Sequence, residues 1–194
     1  MTTADSDALD RADMERLARG QDAALSDLME RHAPGIFRFL CRMLANEDDA
    51  NDLAQEAFVR VYQHRAGFKR GVKFTPWLYT IAANLARNQI RWRTRHPNVS
   101  LEAEASDGAP PLREALPATT ITPSQEAEAA ERVVAVRAAV ARLPEDLREA
   151  VVLCEWEDLA VAEAAEVLKT TAKAVESRLY HARLLLRERL KSWL

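Results

Sequence analysis

The sequence has little glycine, few aromatic residues and only two cysteines. Five Gly and 6% aromatic residues in 194 positions predict an all-α protein. Cys41 and Cys154 lack CxxC or Cys/His zinc spacing, so we expect reduced thiols in a cytoplasmic protein and no cofactor, with a redox or metal-sensing role left open. No apolar run approaches the roughly 20 residues that span a bilayer, and the polar start is no signal peptide, so we expect no membrane insertion.

Acidic residues are absent between Ala57 and Leu101, where nine Lys and Arg residues occur. A solvated surface normally mixes both signs, so this stretch indicates a polyanionic partner. A basic surface that docks an acidic protein is the alternative. The net charge of −3 argues against indiscriminate, histone-like binding.

The middle of this basic stretch, Phe74–Arg95, predicts a helix, with Thr75 as N-cap and Pro76 at the first helical position. Its polar side carries guanidinium forks and amide edges suited to phosphates and bases, on Asn84, Arg87, Asn88, Arg91 and Arg95. From this helix alone, a merely solvated face is as plausible an interpretation.

A preceding helix is predicted at about Asp48–His64, and one side of it groups Asp52, Gln55, Glu56 and Val59. Before it we expect a helical pair over Asp13–Leu44, with Pro34-Gly35 breaking or kinking the second helix. Residues 1–12 read as a frayed polar leader. The first domain is therefore expected at residues 13–95.

Residues 96–123 contain five prolines and four acids and predict a flexible linker. A second helical domain is expected at residues 124–194, beginning with a capping box at Thr122. Within it, Ala160–Leu168 and a helix from Thr171 are separated by Lys169-Thr170, which indicates a helix-turn-helix. Its second helix turns these polar residues outward or to its borders: Lys173, Glu176, Ser177, Arg178, His181 and Arg183.

Both halves resemble bacterial RNA polymerase sigma factors, most closely the small extracytoplasmic-function (ECF) group. The first half carries the family pattern in order at Asp52, Leu53, Gln55, Glu56, Phe58, Phe74, Trp77, Leu78, Ile81, Ala82 and Asn84. The second half is similar through LPEDLREAVVL, LAVAEAAEVL and AVESRLYHAR. A match of this length and order is far more specific than any single motif.

The resemblance implies three sets of contacts. Core RNA polymerase would be bound by Asp52, Gln55, Glu56 and Phe58. The melted downstream promoter strand would be bound by Lys69, Arg70, Lys73, Asn84, Arg87, Asn88 and Arg91. The duplex upstream element would be bound by Lys173, Glu176, Ser177, Arg178, His181 and Arg183. It also implies an anti-sigma protein as an inhibitory partner.

Three positions depart from the family pattern. Many relatives have Asp at the position of Asn88, Gly at Lys169 and a basic residue at Glu176. Asn88 bears on base preference, and Lys169 bears on the turn of the helix-turn-helix. Glu176 bears on groove specificity, since glutamate accepts a hydrogen bond from cytosine N4.

The sequence therefore predicts an all-α, two-domain transcription initiation factor with no catalytic chemistry of its own. A helix-turn-helix regulator that never docks polymerase is the competing class, and a pure interaction protein is a third. The patch of Asp52, Gln55, Glu56 and Phe58 discriminates among them, because only the initiation factor needs it.

Overall fold

The computed structural model describes residues 3–69, 71–96 and 123–193, and these residues form helices and turns without a strand. The all-α prediction is confirmed. The helices are α1 (Thr3–Ala18), α2 (Ala23–Leu44), α3 (Glu47–His64), α4 (Phe74–Arg95), α5 (Pro123–Ala141), α6 (Glu145–Val151), α7 (Val161–Val167) and α8 (Ala172–Arg189). Within the described ranges, none of them has both the length and the apolar character needed to cross a membrane.

The N-terminal residues differ from the expected frayed leader, because α1 begins at Thr3 and packs against α2. Asp10 is fully buried and accepts a hydrogen bond from Arg31 Nε at 3.0 Å. Asp13 also pairs with Arg31, and an exposed pair joins Arg16 to Asp27 at 3.0 Å. The polar composition that suggested solvent exposure instead supplies the ion pairs that hold α1 on α2.

Helix α2 continues through Pro34, so the predicted break is absent there, while the alternative prediction of a kink stays a prediction. A proline inside a helix removes one hydrogen bond, but tertiary packing outweighs that loss here. Ile36, Phe39 and Leu40 in the next turns are all fully buried. Gly35 has a packing role, since a Cβ there would lie 3.0 Å from the Tyr79 hydroxyl.

The starts of α3 and α4 can be compared with the predicted ones. Helix α3 begins one residue before the predicted start, and the Asn46 side chain caps it by accepting from the Asp49 amide at 2.8 Å. Helix α4 begins at Phe74, so its N-cap is Lys73 rather than Thr75. Phe74 is 2% exposed, and its burial accompanies the two additional residues at the start of α4.

The second domain contains the predicted helix-turn-helix as α7 and α8. Thr171 caps α8 by accepting from the Ala174 amide at 3.2 Å, and Val175, Leu179 and Ala182 face the core. Lys169 in the turn has φ of +51°, the left-handed conformation in which glycine is favoured. Residues 97–122, which include Thr122 and all of the predicted linker except His96 and Pro123, lie outside the described residues, and so does Arg70.

The two domains are packed together. Buried side chains of both belong to one hydrophobic cluster, in which α4 packs on α7 and α2 contacts the π-helical turn Val152–Trp156 that follows α6. The expected two-domain organisation is present, but the domains lie in contact.

The positive φ of Lys169 generates a stability prediction. Lys169→Gly should raise the free energy of unfolding by about 1 kcal/mol, because glycine adopts this conformation without Cβ strain. Urea denaturation of both proteins measures the change. As a control, Lys173→Gly in the first turn of α8 should lower stability by a similar amount. No gain from Lys169→Gly would contradict the assignment of strain to this turn.

Candidate nucleic-acid interface and the contact between the domains

An exposed row of side chains runs along α3. Asp52 and Gln55 are exposed, and Val59, at 47% exposure, continues the row. Glu56 at its edge is partly buried and accepts from Arg60 Nε at 2.9 Å. Phe58 is 2% exposed and lies in the core, so it supports the helix and offers no outer surface. We refer below to Asp52, Gln55 and Val59 as the α3 row.

The predicted strand-binding residues divide into two groups. Lys69, Asn88 and Arg91 are exposed, and Arg91 donates to Asn88 Oδ1 at 2.6 Å. That contact positions an amide beside a guanidinium on the outer face of α4. Lys73 is exposed but not free, because its Nζ lies 2.7 Å from Glu163 Oε1 and 3.5 Å from Asp7 Oδ2.

Arg87 and Asn84 face the second domain. Arg87 Nε donates to Glu149 Oε1 at 2.6 Å, and its Nη1 donates to Asn84 Oδ1 at 2.9 Å. Glu149 is only 4% exposed. Burial raises the pKa of Glu149, and the charge and hydrogen bond of Arg87 oppose that rise. A carboxylate of the second domain thus occupies the centre of the predicted strand-binding face.

Glu157 makes a second buried contact that the sequence did not predict. Its Oε1 accepts from Arg42 Nη1 at 2.6 Å, and its Oε2 accepts from the Tyr79 hydroxyl at 2.8 Å. Burial raises the pKa values of both Glu157 and Tyr79. Tyr79 reads as an ordinary apolar position of α4 in the sequence, so no local pattern could reveal this partner.

We call Glu149, Glu157 and Glu163 the carboxylate clasp. Each belongs to the second domain and binds a donor of the first. Glu163 also accepts from the Ala160 amide at 3.0 Å with its other oxygen, so it caps the start of α7 as well. These three residues come from the segment Glu145–Glu166, which contains eight acids and one base.

A cavity of about 360 Å³ opens between the end of α3 and the first turns of α4. Its lining combines aromatic and aliphatic walls with polar groups, from Gln63, His64, Gly67, Trp77 and Ile81. The Phe68 ring packs edge-on against Trp77, with centroids 5.0 Å apart. Trp77 is partly buried and also forms one wall of the cavity. Sequence reasoning missed Gln63 and His64, which carry no recognisable pattern.

The outer face of α8 presents Lys173, Glu176, Ser177 and His181, all exposed. Tyr180, at 61% exposure, lies among them and was not among the predicted contact residues.

Two predicted duplex contacts are engaged by acids of the second domain. Arg178 lies 3.7 Å from Asp146 and lines a cleft between the domains together with Arg87 and Glu149. Arg183 is exposed and pairs with Glu155 at 2.6 Å. Arg178 is therefore placed beside the clasp rather than on the outer row of α8.

Both cysteines are partly buried free thiols. Burial raises the pKa of Cys41 to about 11 and also raises that of Cys154. With raised pKa values, both thiols hold little thiolate at neutral pH, so neither has the low pKa of a reactive sensor cysteine.

Comparison with known proteins gives the family. Residues 28–96 match the model for sigma-70 region 2, and residues 134–186 match the model for sigma-70 region 4. The chain is 30% identical to the ECF RNA polymerase sigma-E factor of Haemophilus influenzae, over 94% of this chain and 95% of that protein. The chain belongs to the ECF group of RNA polymerase sigma factors.

Two solved structures share the fold. One is CnrH in complex with the cytosolic domain of CnrY, with a TM-score of 0.71, 24% identity, and coverage of 95% of this chain and 98% of that chain. The other is the sigma factor RpoE in complex with the anti-sigma factor NepR from Bartonella quintana. Its TM-score is 0.65 at 24% identity, with coverage of 86% of this chain and 96% of that chain.

The clasp generates a prediction about domain separation. Glu157→Ala should weaken the closed arrangement by about 3 kcal/mol, because it removes the buried acceptor of Tyr79 and Arg42. Small-angle X-ray scattering should then show a larger radius of gyration than the wild-type chain has. Glu155→Ala is the matched control, since Glu155 pairs with Arg183 of its own domain in an exposed contact. An unchanged radius for Glu157→Ala would show that the clasp does not hold the domains together.

Proposed function

We propose that this chain binds core RNA polymerase and directs it to a small set of promoters, with the first domain holding melted DNA and the second reading duplex. It performs no catalysis in this proposal. Strand opening is driven by binding free energy, since splayed bases gain pockets and the strand gains cationic contacts.

The α3 row is the observation that carries this proposal. Asp52, Gln55 and Val59 are exposed on a helix whose opposite side is firmly packed. Val59 is 47% exposed, and an exposed apolar residue beside acids and amides suits a protein partner. A regulator that only bound DNA would have no need of such a row next to its basic helix.

Strand capture is supported by the cavity beside Trp77 and by the cations around it. A base taken out of the stack needs an aromatic or apolar pocket with hydrogen-bonding groups, which Trp77, Ile81, Gln63 and His64 offer. Asn88 and Arg91 continue the track along α4. Lys69 begins it in the preceding loop.

This proposal requires the domains to separate. Arg87 and Lys73 are engaged by Glu149 and Glu163 in the closed arrangement, so a DNA strand would compete with carboxylates for the same cations. Binding to core polymerase is proposed to stabilise the open arrangement. An anti-sigma protein is proposed to stabilise an inactive one, supported by the relative that was solved with its anti-sigma factor.

Duplex reading is assigned to the outer face of α8. Lys173 and Ser177 supply phosphate or base contacts, and Glu176 accepts from cytosine N4. Tyr180 is added to this set because of its exposure among them.

The central experiment tests docking and initiation together. Core polymerase with the purified chain should produce promoter-dependent transcripts from genomic DNA fragments. Duplex binding without such transcripts would favour the helix-turn-helix regulator.

Asp52→Arg should weaken binding to core polymerase at least about tenfold, or about 1.4 kcal/mol, because it reverses a charge within the α3 row. Fluorescence anisotropy of the labelled chain measures this affinity. Glu30→Arg is the matched control, since Glu30 is an exposed acid on α2. An equal loss in both variants would point to net charge rather than to a docking surface.

Opening the clasp should expose the strand-binding face. Glu149→Ala should raise the affinity of the free chain for a single-stranded oligonucleotide about tenfold, because it releases Arg87 and removes a competing anion. Filter binding at fixed salt measures the change. The double variant Glu149→Ala/Arg87→Ala should lose most of the gain. If the double variant kept the full gain, the strand would not contact Arg87.

A further inference from the structure

We propose that His32 is a positioning residue for the cavity beside Trp77, and that it sets the cavity's preference among bases from behind the aromatic wall. The inference rests on the proposed capture of a melted strand by the first domain. His32 lies on α2 and is absent from the cavity lining.

A buried carboxylate fixes the orientation of the His32 ring. His32 Nε2 lies 2.8 Å from Asp10 Oδ2, and Asp10 is fully buried. The other oxygen of Asp10 accepts from Arg31 Nε at 3.0 Å. Asp10 is thus held in place independently of His32, so it acts as a fixed anchor for the ring.

Aromatic contacts connect the His32 ring to Trp77 in the wall of the cavity. The centroid of His32 lies 5.1 Å from that of Phe74, and Phe74 lies 6.0 Å from Trp77. Phe68 packs edge-on against both Phe74 and Trp77, at 6.3 Å and 5.0 Å. The contacts of Phe74 with His32 and Trp77 are tilted, and tilted and edge-on contacts between rings both depend on orientation, so the tilt of one ring constrains its neighbours.

Phe74 is 2% exposed and cannot stack on a base itself. Phe74 lies between His32 and Trp77 and separates them. The position of Trp77 in the cavity wall is therefore set by contacts on its buried side. A shift of Trp77 by a fraction of its width would change which base fits between it and Ile81.

The anchor comes from α1, which precedes the matched region 2 segment at residues 28–96. The contacts between α1 and α2 have an alternative role, which is to hold α1 in place. The two roles differ in what they affect. Docking of α1 affects stability, whereas alignment of the wall affects the ratio of affinities among the four bases.

The test measures base preference with the full chain bound to core polymerase, using a randomised pool of single-stranded DNA and sequencing of the bound fraction. Wild type should enrich one base at one or more positions. His32→Gln keeps a donor for Asp10 but removes the ring, and it should reduce the preference at one position about fivefold. His32→Leu should give the same loss without leaving a void. His32→Phe restores a ring and should recover most of the preference.

Asp27→Ala is the matched control, because it breaks another pair between α1 and α2 without touching the aromatic contacts. It should leave base preference unchanged, and thermal melting identifies which variants fold. Wild-type preference in a folded His32→Gln or His32→Leu variant overturns the inference, and so does an equal loss in Asp27→Ala. If the wild-type holoenzyme prefers no base beyond core polymerase alone, the proposed strand capture itself fails.

Discussion

Three buried or half-buried carboxylates determine how the two halves of this chain meet. A carboxylate taken out of water is strongly disfavoured unless donors replace its hydration. Glu157 meets this requirement with a separate donor on each oxygen, and Glu163 divides its oxygens between Lys73 and the start of α7. Such geometry tolerates little displacement, so the clasp defines one relative placement of the domains rather than a loose association.

The charge blocks of the sequence gain a physical meaning from this contact. The stretch without acids supplies Lys73 and Arg87, and the acid-rich stretch Glu145–Glu166 supplies their partners. The near-neutral total charge of the chain thus includes a basic face that is neutralised internally. A nucleic acid and the second domain present the same kind of group, an oxygen anion, to the same side chains.

Local patterns were sufficient for most of the helices. Periodicity and capping residues located α3 within one residue and identified both helices of the helix-turn-helix, whereas the resemblance to the family singled out Lys169 in the turn. They were wrong about the N-terminal residues, because Asp10 and Asp13 look solvated until Arg31 is brought beside them. They also missed Tyr79 with Glu157, since a hydrogen bond between residues 78 positions apart leaves no local trace.

Under the proposed separation of the domains, the single core that they share makes the binding of their ligands cooperative. Because opening is one event, the first ligand that needs the open arrangement bears its whole free energy, and a second ligand binds without that penalty. The product of the association constants measured on the two separated domains would therefore be larger than the value that the intact chain reaches with both ligands. By reciprocity, any change that stabilises the clasp lowers the affinity of every ligand of the open arrangement by the same factor.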